Sequence, residues 1–187
     1  MKILIRSIQF FFLYLGSLLF GSFAVSWFVL RQRFLGDVLP NCYTVNRFLY
    51  RGGRPSPRGI QELAEKGVKT IIHLCTGNIY LKPRRAAFHQ FNIIHIPFYP
   101  YRPTDEIMIT FLRNLLDKAN GPTYVHCFHG VDRTGVVCAM YRIIVEGWPK
   151  EKAIQEMKHK GLHWWHRNMV NYVQNMDVDF IRQKVLE

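Results

Sequence analysis

The chain has 187 residues, 49% of them hydrophobic, and a formal net charge of +12, a length that suits one domain with a short extension. Its four cysteines are too sparse for a disulfide framework, and no Cys-x-x-Cys pair points to zinc or thioredoxin chemistry. The basic balance suits nucleic acid, anionic lipid or phosphorylated substrate, and because no nucleic-acid motif accompanies it, nucleic acid is set aside.

The extension comes first. From Ser7 to Leu30 there is no charged residue, and at ~1.5 Å per residue the stretch reaches about 36 Å, enough to cross a hydrocarbon core of about 30 Å with some tilt. Lys2 and Arg6 precede it, and Arg31 and Arg33 follow. Ala24-Val25-Ser26 has the small residues of a signal-peptide cleavage site, but apolar residues continue through Trp27 to Leu30, past the usual h-region. The expectation is an uncleaved single-pass transmembrane helix over residues 7–30, with residues 1–36 as anchor and linker and 37–187 as the soluble domain. Basic residues on both sides leave the positive-inside rule silent on orientation.

Beyond the linker, Asn46 to Tyr50 reads as a small strand and Arg51-Gly52-Gly53-Arg54 as a flexible basic turn. The alternative for that turn is that Arg51 or Arg54 buttresses a later loop. Ser56-Pro57 opens a helix that Gly67 closes, and Val68 to Leu74 is a central strand by its apolar run. Leu81 to Phe88 reads as a loop leading into a short helix, Ile93 to Ile96 as a strand stopped by Pro97, and Phe98 to Pro103 as a surface loop near a site. Thr104-Asp105-Glu106 caps a helix with Ile107, Phe111, Leu112, Leu115 and Leu116 at helical spacing, ended by Gly121-Pro122. Thr123 to Val125 is a strand and Val136 to Ile144 a buried helix. After Gly147-Trp148-Pro149 another helix runs to about Lys160, and Asn168 to Val185 forms a last amphipathic helix. Alternating strands and helices predict an α/β domain with a central, mostly parallel sheet flanked by helices.

Between the last strand and its helix stands His126-Cys127-Phe128-His129-Gly130-Val131-Asp132-Arg133-Thr134-Gly135. A strand feeding a tight loop and then a helix aims the helix's first N–H groups and its positive end into the loop, which makes an anion site. The backbone from Phe128 to Arg133 can curl around one tetrahedral oxyanion as a nest, with Cys127 beneath the phosphorus and Arg133 clamping two oxygens. Only a thiolate attacks, and a helix terminus contributes at most ~2 kcal/mol toward one. Arg133 and the converging N–H groups therefore supply the rest and stabilise the transferring phosphoryl group. The Thr134 hydroxyl either donates to the thiolate or bonds the backbone at the helix start. Neither His126 nor His129 reads as a triad base, because this chemistry starts from a thiolate.

Cys127, five residues, then Arg133-Thr134-Gly135, with His126 before, resembles the phosphate loop of the cysteine-dependent protein tyrosine and dual-specificity phosphatases. Rhodanese and arsenate-reductase loops share the bare spacing without that context. Tyr50 to Ser56, Gly67 to Ile72, and Met140 to Ile143 with Glu146-Gly147-Trp148 extend the resemblance to the bacterial TpbA-like envelope phosphatases, from about Arg47 to Phe180. The resemblance implies a dual-specificity phosphatase-like fold and a phosphocysteine intermediate without metal or other cofactor. It also implies a place at the bacterial inner membrane with the catalytic domain in the periplasm. The expected substrate is a phosphorylated protein; the alternatives are a phosphoinositide or other phospholipid head group, and a membrane-anchored pseudophosphatase that only binds phosphorylated partners.

One departure concerns the proton donor. The family carries an aspartate on the loop after the strand that here ends at Pro97, yet Phe98 to Arg102 holds no carboxylate. The candidates are Asp132, placed before the loop arginine as in the myotubularin lipid phosphatases, and Asp105, which also suits a helix N-terminus. Lys158 to Arg167 carries His159, His163 and His166 among tryptophans and cations. It reads as a packed connection or as a basic aromatic rim for substrate or lipid head groups; Gly161 breaks the helix that would align His159 with His163 for a metal.

Overall fold

The computed structural model describes residues 38–77 and 89–187. The expected membrane span over residues 7–30 and the segment 81–88 lie outside the described residues; among those described, no helix is long and apolar enough to cross a membrane.

Five strands form one sheet in the order β1-β2-β5-β3-β4: β1 (Tyr43–Asn46), β2 (Leu49–Gly52), β3 (Thr70–His73), β4 (Asn92–His95) and β5 (Thr123–His126). Only β1 runs antiparallel to its neighbour; β2, β5, β3 and β4 are mutually parallel. Ile71 pairs with Tyr124 and Ile72 with Val125 across β3 and β5. Successive side chains of a strand face opposite ways, so the two pairs feed two cores. Ile71 and Tyr124 join Ile60, Leu63, Val68 and Phe91 on the side of α1 (Pro57–Glu65). Ile72 and Val125 join the larger core, built with α2 (Asp105–Leu116), α3 (Asp132–Ile144), α4 (Lys150–His159), α5 (Arg167–Asn175) and α6 (Val178–Leu186). Burial on both faces explains why β3 and β5 read as continuous apolar runs.

Helix starts follow from local chemistry. The Ser56 side chain accepts from Gly59 N–H ahead of Pro57, and the Thr104 side chain accepts from Ile107 N–H, each satisfying a donor the helix itself leaves open.

Several elements differ from expectation. The single strand expected from Asn46 to Tyr50 is instead the end of β1 and the start of β2 joined by a turn at Arg47-Phe48, where Asn46 Oδ1 accepts from the N–H groups of Phe48 and Leu49. Arg51-Gly52 belongs to β2 and is no flexible turn: Arg51 is 1% exposed. Phe98 is fully buried and packs in the main core, so only the later part of the expected 98–103 surface loop is at the surface. A 3-10 turn, Lys118–Asn120, follows α2 before Gly121. The last helix is two, because Met176 is extended and the Asp177 side chain caps a new start by accepting from the N–H groups of Asp179 and Phe180.

Candidate active site

The carboxyl ends of β2, β3, β4 and β5 share one edge, where open parallel sheets bind ligands. Cys127 follows β5 there and is 2% exposed. The Gly130 N–H donates to its sulfur at 3.2 Å, as a nest built to hold an anion requires. Gly130 has φ +78°, and a Cβ there would collide with the backbone of Gly52 and Gly53. Loop and strand end thus meet backbone to backbone at Gly130 and Gly53, whose own Cβ would press on His129 O, while a Cβ at Gly52 would strike the Tyr124 side chain. Arg54 N–H donates to Phe128 O at 3.0 Å, Asn41 Nδ2 to His129 O at 2.9 Å, and Tyr124 Oη to Gly53 O at 2.7 Å.

Beneath the loop Arg51 donates Nη2 to Gly130 O at 3.1 Å. The glycine pair and this arginine are one device: β2 carries a guanidinium under the loop and leaves room for the loop to sit down on it.

Arg133, in the first turn of α3, extends Nη1 toward Leu74 O and Phe98 O at 3.4 Å each. Two carbonyls from the ends of β3 and β4 therefore orient the guanidinium. Among the described residues no side chain caps α3 at Val131, and Gly135 N–H already returns to Val131 O. The earlier N–H groups lie in the loop that Phe128, His129, Gly130, Val131 and Asp132 form with Cys127. Thr134 is fully buried, and its hydroxyl has no hydrogen-bond partner among the described residues. The bond to the helix backbone that would explain it structurally is not made.

Asp132 is 8% exposed and fully engaged. Its Oδ1 accepts from the backbone N–H of His163 at 3.0 Å, and His163 Nδ1 lies 2.9 Å from both carboxylate oxygens. His166 Nε2 is 3.9 Å from Oδ2. Asp105 is drawn elsewhere: Tyr172 Oη donates to its carboxylate at 2.6 Å, tying the start of α2 to α5. Burial first, and then Asp105, pushes the Tyr172 phenol up.

Three histidines that the sequence reading did not connect stand side by side at this edge. His95, His73 and His126 end β4, β3 and β5 in register, with ring centroids 4.8 and 5.2 Å apart. The available signal was a repeated pattern, two apolar residues and a histidine closing each strand. Burial pushes His73 down to about 4 and His126 to about 3. The ring of His126 contacts the carbonyl of Cys127 at 2.9 Å. Of the other cysteines, Cys75 is buried after β3 and burial raises its thiol. Burial pushes Cys138 up to about 11, fitting an inert core thiol. Cys42 and Cys75 are both free thiols.

Around the mouth the rings of Phe128, His129, His163 and Trp165 follow one another at centroid distances of 4.8, 6.1 and 4.4 Å. Trp164 is 76% exposed. Lys158, His163, Trp164, His166, Arg167 and Asn171 face a cleft of about 410 Å³ beside this rim. No cluster of histidine, cysteine and carboxylate suited to a metal occurs among the described residues.

Comparison with known proteins agrees with this geometry. Residues 40–174 match the family described as DSP-PTPase phosphatase fused to NAD+ Kinase. The dual specificity protein phosphatase TpbA of Pseudomonas aeruginosa is 33% identical over 147 residues, 76% of this chain; the chain spans 65% of that protein's length. The crystal structure of P. aeruginosa TpbA superposes with a TM-score of 0.69 at 31% identity, covering 79% of this chain and 92% of that one. A TpbA structure in complex with pTyr matches at 0.68. Inositol diphosphatase DSP3 of Arabidopsis thaliana is 29% identical over 161 residues, covering 81% of this chain and 78% of that protein.

Proposed function

This chain belongs to the DSP-PTPase phosphatase family, and we propose that it hydrolyses phosphomonoesters through a phosphocysteine at Cys127, with protein phosphotyrosine, or mixed phosphotyrosine and phosphoserine/threonine, as substrate. The observation that carries the reading is the Gly130 N–H directed at a buried Cys127 sulfur inside a loop closed by Arg133. Cys127 Sγ attacks phosphorus as the ester P–O bond breaks; water then attacks the phosphocysteine and releases phosphate. Arg133 and the loop N–H groups hold the three equatorial oxygens throughout. The Thr134 hydroxyl supplies a donor to the departing thiolate in the second step. No step uses a metal or cofactor.

The TpbA structure with pTyr supports a phosphotyrosine substrate. A second reading, a phosphoinositide or other polyanionic head group, is favoured by the cleft with Lys158 and Arg167 and by the diphosphatase relative. The discriminating experiment gives the chain a nitrophenyl-type phosphate, then a panel of phosphopeptides and phosphoinositides, with Cys127→Ser as control. Turnover lost in the variant is expected; a wild type inert between about pH 5 and 8, which binds phosphorylated ligands without turning them over, would establish a pseudophosphatase instead.

The charge-free stretch over residues 7–30 supports an anchor in the bacterial inner membrane, with residues 37–187 as a catalytic domain in the periplasm. A periplasm-dependent reporter fused after Glu187 should be active, and the chain should run at about 22 kDa in the membrane fraction. A shortened soluble product would mean the segment is a cleaved leader.

A further inference from the structure

Three observations converge on the source of the leaving-group proton. The segment from Phe98 to Arg102 contains no carboxylate. Asp105 is committed to the Tyr172 hydroxyl. Among the described residues the Asp132 carboxylate is hydrogen-bonded to His163 and lies 3.9 Å from His166. We propose that His163, held by Asp132, is the general acid of this enzyme.

The geometry fixes which nitrogen does the work. Two carboxylate oxygens flank Nδ1 at 2.9 Å, and carboxylate oxygens accept, so Nδ1 carries a proton. The nitrogen left to gain or lose one is Nε2, which has no hydrogen-bond partner among the described residues. The backbone N–H of His163 on Oδ1 pins the segment as well as the ring. Trp165 stacks on the imidazole at 4.4 Å and 21°, a face that favours the cation, while a third of the His163 side chain stays exposed. The ring stands next to that of His129, two residues past the nucleophile, at 6.1 Å. Asp132 is therefore a positioning residue, and its place before Arg133 ties the acid to the first turn of α3. The charged or titratable groups around His163 are Asp132 on α3, His129 in the loop, Lys158 on α4, and His166 and Arg167 at the start of α5.

This role rests on the hydrolase reading above. As Cys127 Sγ forms its bond to phosphorus and the P–O bond breaks, the imidazolium Nε2–H goes to the leaving oxygen and an alcohol departs. Neutral Nε2 then takes a proton from the attacking water as the S–P bond breaks, and the imidazolium is restored with phosphate released.

The test uses the full chain and compares kcat/KM on an alkyl phosphate and on a nitrophenyl-type ester, whose leaving group needs no proton. His163→Gln should lower the alkyl value by about 10²–10³-fold and the nitrophenyl value by less than about fivefold. In the wild type the alkyl-to-nitrophenyl ratio should fall as pH rises, because only a protonated acid serves the poor leaving group. Asp132→Asn, which removes the carboxylate that holds Nδ1, should also lower the alkyl value more than the nitrophenyl value. Equal losses on both substrates would overturn the proposal. A wild-type ratio that stays flat with pH would also overturn it, and that measurement needs no variant to fold. A wild type inactive on the nitrophenyl ester would instead remove the hydrolase reading on which the proposal rests.

Discussion

Arg51 shows how much one residue contributes that a motif does not display. It is a guanidinium 1% exposed, held by the carbonyls of Gly130 and Val131 at 3.1 and 3.5 Å, with no carboxylate partner among the described residues. A buried cation without a counter-charge is costly, and its place beneath a loop built for a dianion gives it a reason. Hydrogen bonds to charged groups contribute about 1.5–3 kcal/mol each, so Arg51→Met should lower stability by roughly that amount in urea denaturation. It should also weaken inhibition by vanadate, which can take the trigonal-bipyramidal shape of the transition state. A variant that loses stability but inhibits as tightly as wild type would make Arg51 a purely structural prop.

At the scale of elements, the loop and β2 are a single unit, and glycine is the means. Gly130→Ala would place a Cβ against Gly52 and Gly53 in a backbone region, φ +78°, that side chains rarely adopt. Activity should fall at least tenfold with a visible loss of thermal stability; an active, stable variant would show that the loop does not need this seat. Asp105→Asn belongs here too: because Asp105 joins α2 to α5 through Tyr172, it should cost about 1–2 kcal/mol and affect alkyl and aryl substrates alike. Elements marked by local chemistry were legible in the sequence: the Ser56 and Thr104 caps, the apolar strands, and the Cys127 to Arg133 loop with its strand and helix. What was not legible depends on partners distant in sequence. Asp132 meets His163 across 31 residues, so the composition of either segment does not reveal the pair, while the contact of Arg51 with Gly130 across 79 residues stood in the sequence as the alternative to a flexible glycine turn. The β1–β2 corner was missed because Asn46 builds it with its own side chain, and the α5–α6 break because Met176-Asp177 contains neither glycine nor proline.

Over the whole molecule a line of histidines crosses three strands at the carboxyl edge of the sheet, and burial lowers two of them, His73 and His126, in a domain that carries most of a +12 chain's positive charge. Burial is the largest cause of their low values, and neighbouring histidine and arginine charges add to it: His95, Arg54 and Arg133 for His73; His73, Arg54 and Arg133 for His126. The unfolded chain would protonate both near the ordinary 6.5, while the folded chain resists down to about 4 for His73 and about 3 for His126. Between those limits the unfolded state binds more protons, so stability rises with pH there. The contribution is complete above about pH 6.5 and is lost as pH falls toward 4. Urea midpoints measured at pH 7.5, 6 and 5 should therefore decline steadily, and the decline should be shallower in His73→Asn, which removes one of the titrating rings. Because the His126 ring contacts the carbonyl of Cys127, the loss of the site and the loss of the fold should follow the same acid curve. A midpoint constant from pH 7.5 to 5 would mean that the ring stack opens to water without unfolding the sheet.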